Sequence, residues 1–226
     1  MTRTVLFDTE TTGLDPLTGD RVVEIAALEL ANDLPTGRRL HLLIDPERDI
    51  PEEVSRIHGL TRSHLHGKPL FAQIAHQVIE FFADSNLVAH NAPFDFGFLN
   101  AELGRLGYPP FGAHRMIDTL VLAKARFPGL PNSLDALCRR FGIDLTERTT
   151  HNALLDCRLL ADVYVELTGG RQRGLSLESR PSTQIQVYAA SGPRIPRPIV
   201  PSPAELQAHA ALTARLQQPI WSGSRR

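Results

Sequence analysis

The chain has 226 residues, 42% of them hydrophobic, with 24 basic and 25 acidic side chains and a formal net charge of −1. That is enough apolar matter for one sizeable domain and an appendage. No apolar run approaches the roughly 20 residues a membrane span needs, the start shows no signal-peptide pattern, and two cysteines, Cys138 and Cys157, are too few for a disulfide framework, so a cytoplasmic protein is expected.

Taken in chain order, apolar and β-branched runs at 3–8, 22–30 and 38–45 read as three strands, separated by turn signals at Gly13, Pro16 and Gly19 and then at Pro35 and Gly37. A helical pattern covers 69–83, and "NLVAH" at 86–90 reads as a short strand. Helices are expected over 92–106, 132–141 and 152–167, with a fifth strand or a helix around 115–123. Both cysteines sit in these helices as small apolar residues. Helices alternating with strands after an initial strand cluster give an α/β sheet covered by helices. "TGG" at 168–170 stops the last of these helices.

Beyond Gly170 the composition changes. Six prolines fall within 181–203, a semi-extended linker. Ser202-Pro-Ala-Glu205 then reads as a capping box with proline at the first helical position, and the helix it starts runs to about Gln218 before Pro219. On it Leu206, Ala210, Thr213 and Leu216 line one modest face, and Trp221 lies past the stop. Residues 171–226 carry eight arginines against two acids, +6, which leaves −7 for the preceding body. An acidic body is a poor general binder of nucleic acid, so phosphate chemistry there needs metal ions or a partner.

Within that body the acids are placed unusually. In "VLFDTETTGL" Asp8 and Glu10 follow a buried run two residues apart, so a strand aims both the same way. On the next helical stripes, Asp95 shares a side with Phe98, Leu99, Leu103 and Leu106, and Asp156 with Ala153, Leu159, Leu160, Val163 and Leu167. A carboxylate at the start of a core-facing stripe is expensive unless paired. Each alone is also what a helix-dipole role would look like. Four converging on one core edge make an oxygen-ligand site for hard cations such as Mg²⁺ or Mn²⁺. His151, five residues before Asp156, is about 140° away around a helix, so it belongs to the loop before it, where it can swing over the metals and take a proton from water. His41, His64, His66, His76, His114 and His209 carry no such pattern.

Together these motifs resemble the DEDD superfamily of 3′–5′ exonucleases. D-x-E is matched at Asp8 and Glu10, the second motif by "HNAPFD" with Asp95, and H-x4-D by His151 and Asp156; Asn152 stands where a sister group has tyrosine, so the histidine variant is indicated. Within the superfamily, "FDTETTGL", "IHGLT", "HNAPFDFGFLN" and "HNALLDCRLLADVYVELTGG" are similar to the family of epsilon proofreading subunits of bacterial DNA polymerase III.

The resemblance implies a ribonuclease H-like fold, a five-stranded mixed sheet in the order 3-2-1-4-5 with helices on both faces and a flexible C-terminal tail. It implies proofreading: hydrolysis of the 3′-terminal phosphodiester of DNA to nucleoside 5′-monophosphates, with two Mg²⁺ or Mn²⁺ ions on Asp8, Glu10, Asp95 and Asp156 and His151 as general base. Backbone groups near Thr11 and Thr12 would hold the terminal nucleotide, Leu14 would wedge against its base, and His58, Asn91 and Phe94 would line the pocket. Ordinary turn packing by Leu14 and helix capping by Asn91 are the plain alternatives. "QRGLSL" is similar to a sliding-clamp-binding motif with Gln172, Leu175 and Leu177 as anchors, and the terminal helix with Leu206, Ala210, Leu216 and Trp221 to a segment that binds the polymerase alpha subunit. The organisation implied is an exonuclease domain over 1–170, a clamp-binding segment over 171–180, a linker over 181–201 and a polymerase-binding helix and tail over 202–226. A free-standing exonuclease or exoribonuclease on the same scaffold would share the catalytic motifs but leave the tail unexplained. A non-catalytic adaptor would leave the acids and His151 unexplained.

Overall fold

A computed structural model of the chain describes residues 3–148, 150–169 and 198–216. The chain divides into two units, Met1–Ser176 and Leu177–Arg226. In the first, the strands are β1 (Arg3–Thr11), β2 (Val22–Ala31), β3 (Leu34–Leu43), β4 (Asn86–Ala89) and β5 (Met116–Asp118). The helices are α1 (Glu52–His58), α2 (Arg62–Leu65), α3 (Phe71–Phe82), α4 (Ala92–Arg105), α5 (Thr119–Arg126), α6 (Leu134–Phe141) and α7 (Ala153–Leu167). The second unit contributes α8 (Pro203–Thr213).

The sheet order is β3-β2-β1-β4-β5, with β1–β2 and β2–β3 antiparallel and β1–β4 and β4–β5 parallel. This is the order the resemblance implies. Val5, Leu6 and Phe7 of the central strand are fully buried, because both of its faces are covered. Side chains alternate along it. Val5 and Phe7 pack with α3 and α4, where Phe7 meets Phe82 and Phe96 at ring-centroid distances of 5.2 and 5.6 Å. Leu6 packs with Leu160, Ala161 and Tyr164 of α7 on the opposite face. Asp8 and Glu10 continue the Leu6 series, so the strand's own alternation turns them to the side that α7 covers.

β1 outlasts its parallel neighbour: its pairing with β4 ends at Leu6–Val88, whereas its pairing with β2 runs on to Asp8–Ala26 and Glu10–Glu24. The acids therefore stand at a notch beyond the end of β4, where α4 begins. The small Ala26 opposite Asp8 admits α7 closely, and the Cys157 thiol donates to the Ala26 carbonyl at 3.3 Å. Both cysteines are buried in helices, as expected.

Several boundaries differ from the sequence reading. β3 begins at Leu34, not 38, because the β2–β3 turn is made by Asn32 and Asp33, both at positive φ (51° and 63°) as a two-residue hairpin requires. Pro35 and Gly37, read as turn residues, instead lie in this exposed edge strand, where a missing N–H costs little. The stretch around 115–123 holds both alternatives in turn, β5 and then α5. Leu106 ends α4 and is 39% exposed, so it leaves the core-facing stripe that Asp95, Phe98, Leu99 and Leu103 keep. α1 and α2 were not anticipated.

In the second unit the capping box is present: Ser202 Oγ accepts from the Glu205 N–H at 3.3 Å, and Glu205 Oε2 accepts from the Ser202 N–H at 2.7 Å. Regular helix ends at Thr213, short of the expected 218. It buries no side chain, and Leu206, Leu212 and Leu216 are exposed. Gln172, Leu175, Leu177 and Trp221 lie outside the described residues, as does most of the proline-rich linker.

Candidate active site

Three elements deliver the acids. β1 carries Asp8 and Glu10; α4, entered directly from β4, carries Asp95 in its first turn; α7 carries Asp156 in its own. Glu10, Asp95 and Asp156 are buried and Asp8 is partly buried. Each placement has a local cause. Asp118, at the end of β5, caps α5 by accepting from the Leu120 N–H at 2.8 Å and also takes the Asn91 N–H at 3.0 Å, so the start of α4 is tied to the sheet. Asn152 caps α7, its Oδ1 accepting from the Leu155 N–H at 3.1 Å. Asp95 is then fixed by Thr9, whose N–H and Oγ1 both donate to its Oδ1, at 3.0 and 2.7 Å.

The charges are strongly frustrated. Burial pushes Asp8 well above the ordinary carboxylate range, reinforced in turn by Asp95, Glu10, Asp156 and Glu24. Burial also drives Glu10 up to about 8, helped by Glu24, Asp156 and Asp95 and opposed by Arg148. Asp95 is raised to about 7 by burial, against the lowering effect of the Thr9 hydrogen bonds. A dication would relieve all three at once, because it compensates the charge that burial penalises. The carboxylates suit one: ligand atoms of Glu10 and Asp156 lie within 4.8 Å of each other and of His151, and carboxylate oxygens are the donors hard divalent ions prefer.

His151 does sit in the loop before α7. Its N–H donates to the Ile57 carbonyl at 3.0 Å, which docks that loop on α1, and its half-exposed ring places Nδ1 3.4 Å from Asp156 Oδ2.

The other expected contacts divide. Leu14 is 84% exposed on a loop that is itself well fastened: Asp20 takes the Thr12 hydroxyl at 3.1 Å and the Asp15 N–H at 3.2 Å, and Arg48 bridges to Asp20 at 3.1 Å. Gly13 is required there, since a Cβ would stand 2.1 Å from the Asp20 carboxylate. The Leu14 side chain is thus left largely in water. Thr11 and Thr12 are buried; the Thr11 hydroxyl bonds Gly13 O at 2.6 Å and the Thr12 N–H is used by Arg21 O at 2.9 Å. His58 closes α1 beside them. Its Nδ1 accepts from the Leu60 N–H at 3.0 Å, while Nε2 is buried without a partner among the described residues. Burial lowers its pKa, against the neighbouring Thr11 backbone, which raises it, and His151 lowers it further. Asn91 adopts a left-handed conformation (φ 64°, ψ 46°) at the start of α4, but its side chain makes no capping bond, so capping does not account for the residue. Phe94 is half-buried against Phe98, 4.9 Å between ring centroids.

Three participants were not read from the sequence. Glu24, buried opposite Glu10, accepts from Asn152 Nδ2 at 3.3 Å and the Ala153 N–H at 3.4 Å, and so seats the start of α7. His41, set aside as idle, pairs with it at 2.6 Å. Arg148 forks onto Asp156, Nε to Oδ1 at 2.6 Å and Nη2 to Oδ2 at 2.8 Å. Glu24 had a detectable signal, an acid flanked by apolar residues in a largely apolar strand; Arg148, in the polar stretch "TERTT", had none.

Residues 5–164 match the model of the exonuclease family RNase_T. The chain is 47% identical over 214 residues to DNA polymerase III subunit epsilon of Rickettsia typhi, covering 92% of this chain and 93% of that one. It is 38% identical over 204 residues to the Escherichia coli subunit of the same name, covering 87% and 84%. Among solved structures it is similar to exonuclease X in complex with 5′-overhanging duplex DNA (26% identity, TM-score 0.57, 73% of this chain and 90% of that one). In fold it is also similar to the nuclease domain of 3′hExo, a DEDDh family member (19% identity, TM-score 0.62, 74% and 91%). The chain belongs to the exonuclease family and, within it, to the DNA polymerase III epsilon subunits, whose 3′–5′ proofreading exonuclease domain it carries.

Proposed function

We propose that this exonuclease removes the terminal nucleotide from a DNA 3′ end at the notch beside β4, with Asp8, Glu10, Asp95 and Asp156 holding two divalent cations, Mg²⁺ or Mn²⁺. The observation that carries the reading is the convergence of four carboxylates from three elements, three of them buried, on one spot. When bound, the ions supply charge neutralisation at the scissile phosphate and an activated water. They also let a body of net charge −7 accept a polyanion.

The chain's own residues do the rest. Asp8, central among the acids, is the candidate to serve both ions, and Thr9 aims Asp95. His151, hinged on the Ile57 carbonyl, takes the proton from water. Leu14 wedges against the terminal base, with Thr11, Thr12, His58, Asn91 and Phe94 around the nucleotide; Thr12 acts there through its position, since its N–H and hydroxyl are already bonded. Stacking and a frayed end need little base readout. Beyond residue 170, Gln172, Leu175 and Leu177 would dock on a sliding clamp, and the helix and tail over 202–226 on the polymerase alpha subunit, with the enzyme working at the nucleoid.

The test is a single strand labelled at either end, incubated with Mg²⁺ or with EDTA. We expect stepwise loss of the 3′ label as nucleoside 5′-monophosphate, only with metal. Loss of the 5′ label first, or equal loss in EDTA, would overturn the reading.

A further inference from the structure

Arg148 is the cation set most deeply into this acidic site, with only 10% of its side chain exposed, and its hydrogen bonds are unusually complete. Nε and Nη2 take both oxygens of Asp156, Nη1 reaches Asp135 Oδ1 on α6 at 2.6 Å, and Nη2 also lies 3.0 Å from His151 Nδ1. Guanidinium can only donate, so in the last contact Nδ1 must accept. A neutral His151 ring then carries its proton on Nε2 and has no lone pair left to receive one from water. In the same arrangement an ion on Asp156 would lie one carboxylate away from a buried positive charge. The acid expected to bind metal and the histidine expected to act as base are thus both occupied by one side chain.

We propose that Arg148 is an internal stand-in for the metal, a gate that holds Asp156 and His151 in the resting site and is displaced from Asp156 when a divalent cation enters. This rests on the reading of the four acids as metal ligands. On displacement, the fork to Asp156 and the bond to His151 Nδ1 break together, while Nη1 keeps its hold on Asp135, which is more exposed and lies on a different helix. Binding of the ion and release of the base become one event, which restrains hydrolysis until the site is loaded. Arg148 is in this sense a positioning residue, acting through Asp156 and His151.

The direct test uses ¹⁵N-labelled full-length protein and follows the Arg148 Nε–H signal, assigned by its loss in Arg148→Lys, during a Mg²⁺ titration. In EDTA the proton should exchange slowly; at saturating Mg²⁺ its protection should fall at least about tenfold, the scale of one charge-assisted pair being broken. Shifts at the Asp8 and Glu10 amides with the Arg148 signal unmoved would overturn the gate and leave the metal site standing. No shift at any of these positions would overturn the metal reading, and the gate with it. Mn²⁺ affinity, read by paramagnetic resonance of the free ion, supplies the second measurement. Arg148→Ala should bind Mn²⁺ about tenfold more tightly, because the competitor is gone. Arg148→Lys, which keeps the charge but loses the fork, should move in the same direction. Weaker binding in the Ala variant would make Arg148 a structural pin, and wild-type affinity in the Lys variant would reduce its effect to bulk charge; either result overturns the proposal.

Discussion

Asp8, Glu10 and Asp95 bind their protons more tightly in the folded chain than in the unfolded one, and the sign of that difference sets how stability responds to pH. A raised carboxyl contributes stability that is fully present below its ordinary range near 4 and is lost as pH rises through the folded values, about 7 for Asp95 and about 8 for Glu10. Without metal, the melting temperature should therefore fall between pH 4 and 8. Mg²⁺ should restore it at the upper end. Asp8→Asn should flatten the metal-free profile and abolish much of the gain from Mg²⁺, by on the order of 2–4 °C for each kcal/mol of repulsion relieved. A profile that rises with pH in EDTA would contradict this electrostatic picture. For His151, replacement by Ala should cut the single-turnover rate by about 10²–10⁴ and leave binding of a single strand nearly unchanged. A variant that kept the wild-type rate would put the proton elsewhere. At this scale the four acids and His151 were legible because strand alternation and helical offset reach only a few residues along the chain. Arg148 and Thr9 were not, since a partner at Asp156 or Asp95 exists only after folding.

Between elements, the site depends on how α7 is seated, and Glu24 does much of that seating. Its carboxylate takes the amide that opens α7 and the side chain of the capping residue, while standing across from Glu10. Glu24→Gln keeps the shape and removes the neighbouring charge that raises Glu10 most, so Glu10 should ionise at lower pH. The pH at which Mn²⁺ begins to bind should move down with it. An unmoved binding midpoint would mean that Glu24 is only a cap. The elements that sequence reading found were those with an apolar pattern: β1 and β2 as buried runs, α3, α4 and α7 as stripes. α1 has none, with His58 its one buried residue; it is held by acids in its first turn, Arg56 in its last, and Gly59 at positive φ. Yet α1 carries His58 and docks the His151 loop, so part of the site was hidden in a helix without a hydrophobic signature. The β2–β3 hairpin was misplaced for a similar reason: Asn32-Asp33 is a weaker turn signal than the Pro35 and Gly37 that follow it on an edge strand.

For the whole molecule, charge and composition set the division of labour. In the proposed function the acidic catalytic unit needs its ions to hold DNA, and the arginine-rich tail with its short capped helix is the part proposed to attach. None of the side chains of α8 is buried among the described residues, and a helix of its length is marginal alone in water, which fits a segment that orders on a partner. Truncation after Arg180 should leave an active exonuclease that no longer co-purifies with polymerase. Leu175→Ala with Leu177→Ala should weaken clamp binding and spare the isolated nuclease activity; equal clamp binding by the double variant would return "QRGLSL" to the linker. The sheet order was legible through resemblance alone, because nothing in local periodicity says that β4 lies beside β1. That adjacency, with β4 stopping short, is what creates the notch. The carboxylates gathered there are proposed to bind the metal that hydrolysis needs, and the decisive measurement is single-turnover excision of a 3′-labelled strand by Asp8→Ala and Asp156→Ala, with Mg²⁺ and with circular dichroism to verify the fold. Both variants should fold and lose nearly all 3′ excision; robust Mg²⁺-dependent excision by either one would mean that these acids do not hold the metal.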